Sequence, residues 1–361
     1  MRDCRDEGVH RFSRRELLRG AAGLGLAAAV GGGGGLLAAC GSGGGEDDLR
    51  AGDAEGDGPL ETTSIRLHSV PNVSCIAAEY MAEPFLYEEG FTDVQYPSFP
   101  PAKVVEAYTN GDFDFGVGYA AVLINLVEQG APVVMLGGVH VGCWQVFGTG
   151  DIKSMRDFKG KKVSLVSPEF TDGIFLAMTL SSVGLDLQKD VTMVSYPPSE
   201  NARILSSGEV DAVVAFPPIS KDLRTRGIGT VVLNSLTDPP WSSYYCCSAS
   251  ANSTWMEKHP VAAKRALRAV LKGADVVARD PERAGRLMVD RGYATDFDVT
   301  CQILREIPYD IWREFDPVDS LRFYALQLKE AGIINSTPEQ IIERGSDFRY
   351  LAELKRELKE A

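Results

Sequence analysis

Residues 158–166 read Phe158-Lys159-Gly160-Lys161-Lys162-Val163-Ser164-Leu165-Val166, a glycine turn running into a short apolar strand. Gly160 suits the turn because positive φ is cheap only for glycine. A helical segment is expected at 171–183, a strand at 191–195, a helix at 200–207 and a strand at 212–215. Gly208 and Asp211 repeat the punctuation, a turn and then the opening of a buried strand. A helix at 219–226 and a strand at 230–233 complete the set. Strands and helices that alternate in this way specify βαβ units around a mostly parallel sheet.

An equivalent set precedes it, with strands expected at 65–70, 93–96, 113–117 and 133–139 and helices at 75–89, 101–110 and 120–129. After Pro239-Pro240 comes one more strand, at 243–248, and then only helices through residue 360. Two sets in about 320 residues exceed one comfortable core and imply two lobes. The late strand is expected to rejoin the first lobe. The chain then crosses near Thr149 and near Leu236, which places lobe 1 at 62–149 plus 237–361 and lobe 2 at 150–236.

Further upstream, Ser13-Arg14-Arg15-Glu16-Leu17-Leu18-Arg19 leads into a small apolar segment that ends Leu37-Ala38-Ala39-Cys40. A basic region, an apolar region and small residues before the cut are the layout of an export signal, here of the twin-arginine type, over 1–39. The ending resembles a bacterial lipobox, which implies cleavage before Cys40 and a lipid on its sulfur: anchored to the membrane and not spanning it. A retained anchor is the rival reading, since 20–39 is uncharged, but the run Gly31 to Gly35 weakens a helix by roughly 1 kcal/mol per residue. Residues 40–61 are glycine-rich and acidic and read as a flexible tether.

The formal charge is −13 over 361 residues. Loss of the six arginines and four acids of the signal takes it to −15, so no basic face is on offer and no nucleic-acid partner is expected. Cys75, Cys143, Cys246, Cys247 and Cys301 remain after the signal and the lipidated cysteine, an odd number with no repeated spacing, against a disulfide framework. No cysteine or histidine falls in a zinc-ligand spacing, and no metal or cofactor is expected. Cys246-Cys247 reads as two buried thiols or a vicinal disulfide.

The stretch 158–163, then Ser-Ser-Val-Gly-Leu-Asp-Leu-Gln-Lys-Asp-Val-Thr at 181–192, then Ser207-Gly208-Glu209-Val210-Asp211-Ala212 resemble the second-lobe words of the solute-binding proteins of ABC importers, in the branch for nitrate, taurine, alkanesulfonates and thiamine-pyrimidine precursors. Lys258-His259-Pro260 leading into Ala266-Leu267-Arg268 is similar to the helix after that family's second crossover. The resemblance runs from about Ile65 to Glu360. It implies an α/β, two-lobed periplasmic-binding-protein-like fold of type II, with two crossovers and a ligand cleft between the lobes. The partners it implies are a small-molecule solute and an ABC permease with its ATPase, on the extracytoplasmic face of the membrane.

In open α/β sheets ligands sit beyond the carboxyl ends of strands, which nominates the loops at those ends. The expected ligand-binding residues are Asn72, Ser74, Phe99, Tyr119, Trp144, Glu169, Phe170, Thr171, Phe216, Trp241 and Tyr245. The aromatics can stack a flat ring. Ser74 and Thr171 stand at helix starts whose N–H groups suit an anion, although each is also an ordinary cap. Lysine and arginine are absent from these loops, so a neutral, zwitterionic or singly charged organic solute is expected. No nucleophile elbow or phosphate loop is present, and no catalytic residue is expected. The alternatives are a ligand sensor, or an enzyme resembling the thiamine-pyrimidine synthase of this fold. The position read as that enzyme's reactive histidine is Cys75, and its cysteine-rich iron motif is absent.

Overall fold

The computed structural model describes residues 58–358; the expected export signal, Cys40 and most of the expected tether lie outside the described residues. Among the described residues ten strands form two layers. In the first, β1 (Ser64–Arg66) pairs parallel with β2 (Asp93–Gln95), and β3 (Phe115–Tyr119) and β4 (Val133–His140) flank a later strand, β10 (Cys247–Asn252), that runs antiparallel to both. A parallel bridge between Leu67 and Phe115 ties the pair to the trio, which gives the order β2-β1-β3-β10-β4. In the second layer β5 (Gln145–Gly148) lies between β8 (Ala212–Ala215) and β9 (Thr230–Asn234), antiparallel to both. The strand β6 (Lys162–Leu165) runs parallel to β8 and to β7 (Thr192–Ser195), so the order is β7-β6-β8-β5-β9. Each layer therefore receives one antiparallel strand from outside its own βαβ run, at the same place in the order.

Two boundaries move from where the sequence reading puts them. Residues 145–148 pair with β8 and β9, so the chain leaves the first layer at 141–144 and not near Thr149. The strand expected at 243–248 is observed at Cys247–Asn252, because Trp241–Ser243 forms a 3-10 turn. The apolar run Trp241 to Cys247 owes its character to burial of aromatic rings, which periodicity alone reads as strand. The single helix expected at 75–89 is broken into Ser74–Ile76, Ala77–Tyr80 and Glu83–Glu88, and Pro84 opens the last of these.

The two crossovers run side by side. Ser235 N–H donates to Trp144 O at 2.9 Å, and the Ser235 hydroxyl oxygen accepts from the N–H groups of Cys143 (3.2 Å) and Trp144 (3.0 Å). Gly142 has φ +67° and lies so close to Leu236 that a Cβ would meet its backbone at 2.7 Å. Glycine is required there on both counts.

The first layer is buried along all of β4 and nearly all of β10. The 20-residue helix Pro260–Arg279 and the helix Arg349–Glu357 cover it. Leu351, Leu354 and Leu358, the stripe on the last helix, are buried, with Leu351 against Gly137. Lys264, 1% exposed along its side chain, pins that helix through Glu353 (2.7 Å) and Glu357 (3.0 Å). His68 is buried and bonded through Nδ1 to Glu79 Oε1 at 3.0 Å while stacking on Phe113.

Candidate functional site

The carboxyl ends of β3, β4 and β8 and both crossovers converge on one seam between the layers, and aromatic side chains from both sides fill it. Tyr119, the last residue of β3, lies 5.7 Å from the Trp144 ring and 6.0 Å edge-on from Tyr324. Trp144 continues the chain of contacts to Phe175 (5.8 Å) and Phe216 (5.2 Å). Trp241, on the return crossover, meets Phe175 (5.5 Å) and Phe323 (5.3 Å). Edge-to-face and offset packing of this kind adds about 0.5–1.5 kcal/mol per pair beyond burial. Beneath it a hollow of about 10 Å³ is lined by Trp144, Phe170, Thr171, Asp172 and Phe216 among others, so side chains and not a cavity occupy the seam.

Of the expected site residues, Tyr119, Trp144, Phe170, Thr171, Phe216 and Trp241 come together here. The others do not join them. Asn72 is exposed at φ +59°, in a turn whose N–H donates to Tyr293 O. Ser74 is buried and its carbonyl accepts from the Tyr309 hydroxyl at 2.8 Å. Phe99 packs toward Phe113 at 6.0 Å, and Glu169 is exposed. Tyr245 is fully buried against Gly138 and donates to Pro317 O at 3.3 Å, a core position. Neither Ser74 nor Thr171 caps its helix through the side chain.

Sequence reasoning missed Phe175, Phe323 and Tyr324, which sit inside helices and not in the nominated loops, and Gln145, the first residue of β5. The Tyr119 hydroxyl and Gln145 Oε1 are buried without a hydrogen-bond partner among the described residues. Leaving such a group unsatisfied costs about 1–3 kcal/mol. Asp172, at the head of helix Thr171–Ser181, accepts from the N–H groups of Val166 (2.7 Å) and Gly173 (2.9 Å). Burial nonetheless pushes its carboxyl up to about 6, against the pull of those bonds.

A second cluster lies at the same end of the first layer. Antiparallel pairing sets Cys247 opposite His140. Cys143 Sγ is 4.0 Å from both His140 Nδ1 and Cys247 Sγ, and Cys246 Sγ is 3.9 Å from Cys247 Sγ. All of these residues, with Cys75, are buried. The His140 Nε2 lies 2.8 Å from the Cys75 carbonyl oxygen. Burial disfavours charge on His140, but Cys247 and the facing carbonyls outweigh it and its pKa is raised. Burial also pushes the Cys143 thiol up, whereas hydrogen bonds from Cys143 and Cys247 overcome burial at Cys246 and draw it below the ordinary thiol range. The expectation of no metal rested on spacing along the chain, and these donors meet only across β4 and β10.

The wider comparisons agree with this architecture. A putative thiamine biosynthesis protein of Haemophilus influenzae is 35% identical over 121 residues, 33% of this chain and 36% of that protein, so the chain spans about a third of the length of the curated relatives it matches. The periplasmic nitrate-binding protein NrtA from Synechocystis PCC 6803 superposes with a TM-score of 0.70 at 14% identity, over 84% of this chain and 91% of that one. A putative sulfonate-binding protein, SsuA from Methylobacillus flagellatus KT, superposes at 0.60 with 20% identity, over 83% and 96%. These likenesses establish the two-lobed α/β periplasmic-binding-protein fold. The family model described as NMT1/THI5 like matches residues 85–284, more than half of the sequence, and the chain belongs to that family.

Proposed function

We propose that the protein is an extracytoplasmic solute-binding protein that captures a small organic solute between its lobes and delivers it to an ABC importer. The observation that carries this reading is the aromatic seam, to which both lobes and both crossovers contribute. Tyr119, Trp144, Phe216 and Trp241 offer ring faces, and the unpartnered Tyr119 hydroxyl and Gln145 amide oxygen offer a donor and an acceptor. The solute class they suit is flat or singly charged: a sulfonate, an aromatic acid or a pyrimidine. Of the structural neighbours, the one named for sulfonate falls within this class and the one named for nitrate lies outside it.

Entry requires the lobes to part, because side chains fill the seam. The paired crossovers at 141–144 and 234–246 are the natural hinge, since they alone link the two sheets through the chain. Away from the crossovers along the chain, Glu306 on helix Phe297–Glu306 pairs with Lys221 (2.8 Å) and Arg224 (2.5 Å) on helix Ile219–Arg226. That contact joins the lobes in the closed state. A lipid on Cys40 would hold the protein at the membrane beside its permease; among the described residues no helix is long and apolar enough to cross one.

The enzyme alternative needs a cofactor foothold. A pyridoxal phosphate group calls for a lysine Schiff base, and none of the described residues that line the seam is a lysine. The test is a thermal-shift screen of the purified protein against nitrate, taurine, alkanesulfonates, aromatic acids, pyrimidines and thiamine relatives. A solute at about 100 times its dissociation constant adds about 2.7 kcal/mol, so one chemical class is expected to raise the melting point by several degrees. Tight binding of nitrate with no organic ligand would overturn the solute class, and product formation on supply of pyridoxal phosphate and iron would overturn the binding role.

A further inference from the structure

We propose that His140, Cys143 and Cys247, with Cys246 as the fourth donor, form a binding site for a soft d10 cation, Zn²⁺ or Cu⁺, at the cleft end of the first lobe. The donor atoms of the first three lie within 4.8 Å of one another. Bonds of about 2.3 Å in a tetrahedron set neighbouring sulfurs about 3.8 Å apart. The observed spacings of 4.0 Å (Cys143 to Cys247), 3.9 Å (Cys246 to Cys247) and 4.0 Å (Cys143 to the imidazole) approach that figure without any backbone shift. Three thiolates and an imidazole are the donor set that closed-shell soft cations select over hard ones.

The surroundings are those of a ligating histidine. With Nδ1 turned toward Cys143, the opposite nitrogen, Nε2, donates to the Cys75 carbonyl at 2.8 Å, the outer partner that fixes tautomer and ring orientation. The neighbouring carbonyl, of Ser74, is itself held by the Tyr309 hydroxyl at 2.8 Å, so this stretch of backbone is braced. Nδ1 faces the Val141 carbonyl at 3.2 Å and the Cys143 thiol at 4.0 Å, weak partners for a lone pair. Every donor comes from the first lobe or from the ends of the two crossovers that meet it. The inference therefore goes beyond the solute reading and does not depend on which solute the seam takes.

The experiment is a titration of the purified, fully reduced protein with Zn²⁺ and, separately, with Cu⁺, each in competition with a chromophoric chelator, followed by X-ray absorption on the loaded sample. One equivalent is expected, in a shell of at least two sulfurs at about 2.3 Å and one nitrogen at about 2.0–2.1 Å. Cys143→Ser and Cys247→Ser are each expected to weaken binding by more than the ~10–100-fold that loss of an outer partner costs. Cys246→Ser is expected to leave a shell one sulfur short, and Cys301→Ser, in a different part of the core, to leave binding unchanged. Failure of the folded, reduced protein to retain a stoichiometric cation overturns the proposal. So does a shell of oxygen and nitrogen alone, or an equal loss in Cys301→Ser. The absorption spectrum of the unaltered protein decides the matter even where a serine variant does not fold.

Discussion

In the first lobe the strand that arrives from outside, β10, brings Cys246 and Cys247 beside His140 and Cys143. In the second the arriving strand, β5, brings Gln145 opposite Ala215, the residue before Phe216, and the neighbouring helix start presents Asp172. Both sheets use the same order, with the intruding strand between the third and fourth of the local set. The frame is thus duplicated while the cleft chemistry is not: one wall carries sulfur and imidazole, the other a carboxylate, an amide and phenyl rings. What the two walls share is Trp144, on the crossover between them. It touches Tyr119 from one side and Phe175 and Phe216 from the other.

The most forceful way to break this comparison is therefore to remove the shared residue. Trp144 is 5% exposed, and truncation of a buried tryptophan costs about 3–5 kcal/mol. Trp144→Ala is expected to lower the melting temperature by at least about 6 °C, at the 2–4 °C per kcal/mol of a protein this large, and to abolish solute binding. A variant with an unchanged melting temperature would show that the walls do not rely on a common ring.

Much of the frame is legible in the sequence because it is written locally. Gly160, Gly208 and the runs that follow them announce turn and strand within a few residues, and the helices between need only their own periodicity. The site is legible in its loops but not in its contacts. Tyr119 and Phe216 stand at strand ends and Trp144 and Trp241 on the crossovers, all within the loops nominated from the sequence, whereas Phe175 and Tyr324 are helix residues whose ring faces become neighbours only once the sheets are assembled. The thiol and imidazole group is hidden for the same reason, compounded by register. With the late strand read at 243–248 rather than at Cys247–Asn252, Cys247 does not fall opposite His140. Tyr245 shows the other direction: an aromatic in a nominated loop turns into the core because Gly138 leaves room for its ring.

The difference in wall chemistry sharpens into a pH experiment. Burial holds the Asp172 carboxyl at about 6, above the ~3.9 of an unfolded aspartate. The folded protein therefore binds the extra proton between about pH 4 and 6, and this group's contribution to stability falls as pH rises through that window. The size is about 2 kcal/mol. Denaturant unfolding at pH 4.5 and at pH 7 is expected to show that loss in the native protein and to lack it in Asp172→Asn. Equal slopes in the two proteins would mean that the second wall is wetter than its geometry implies.

The two lobes are also joined by Glu306 with Lys221 and Arg224, whose side chains are about a quarter exposed. Screening at that exposure leaves roughly 1 kcal/mol, which corresponds to about a fivefold change in the balance of open and closed states. Glu306→Gln is expected to speed solute release by about that factor, seen in stopped-flow displacement, with the association rate nearly unchanged and the melting temperature barely moved. A slower association rate instead would assign the pair to steering rather than to closure.

The smallest change tests the seam most directly. The Tyr119 hydroxyl is buried, and no described residue accepts or donates to it. Burial also raises its pKa well above that of a free phenol, so it stays protonated and able to donate. An unpartnered hydroxyl destabilises the solute-free protein, so Tyr119→Phe is expected to leave stability unchanged or to raise it by up to about 1 kcal/mol. If the hydroxyl waits for the solute, the same variant loses affinity, by about the tenfold that one hydrogen bond is worth. The two readouts run in opposite directions, which a packing role cannot produce: a residue that served only the core would lose stability or nothing, and would leave the dissociation constant where it was.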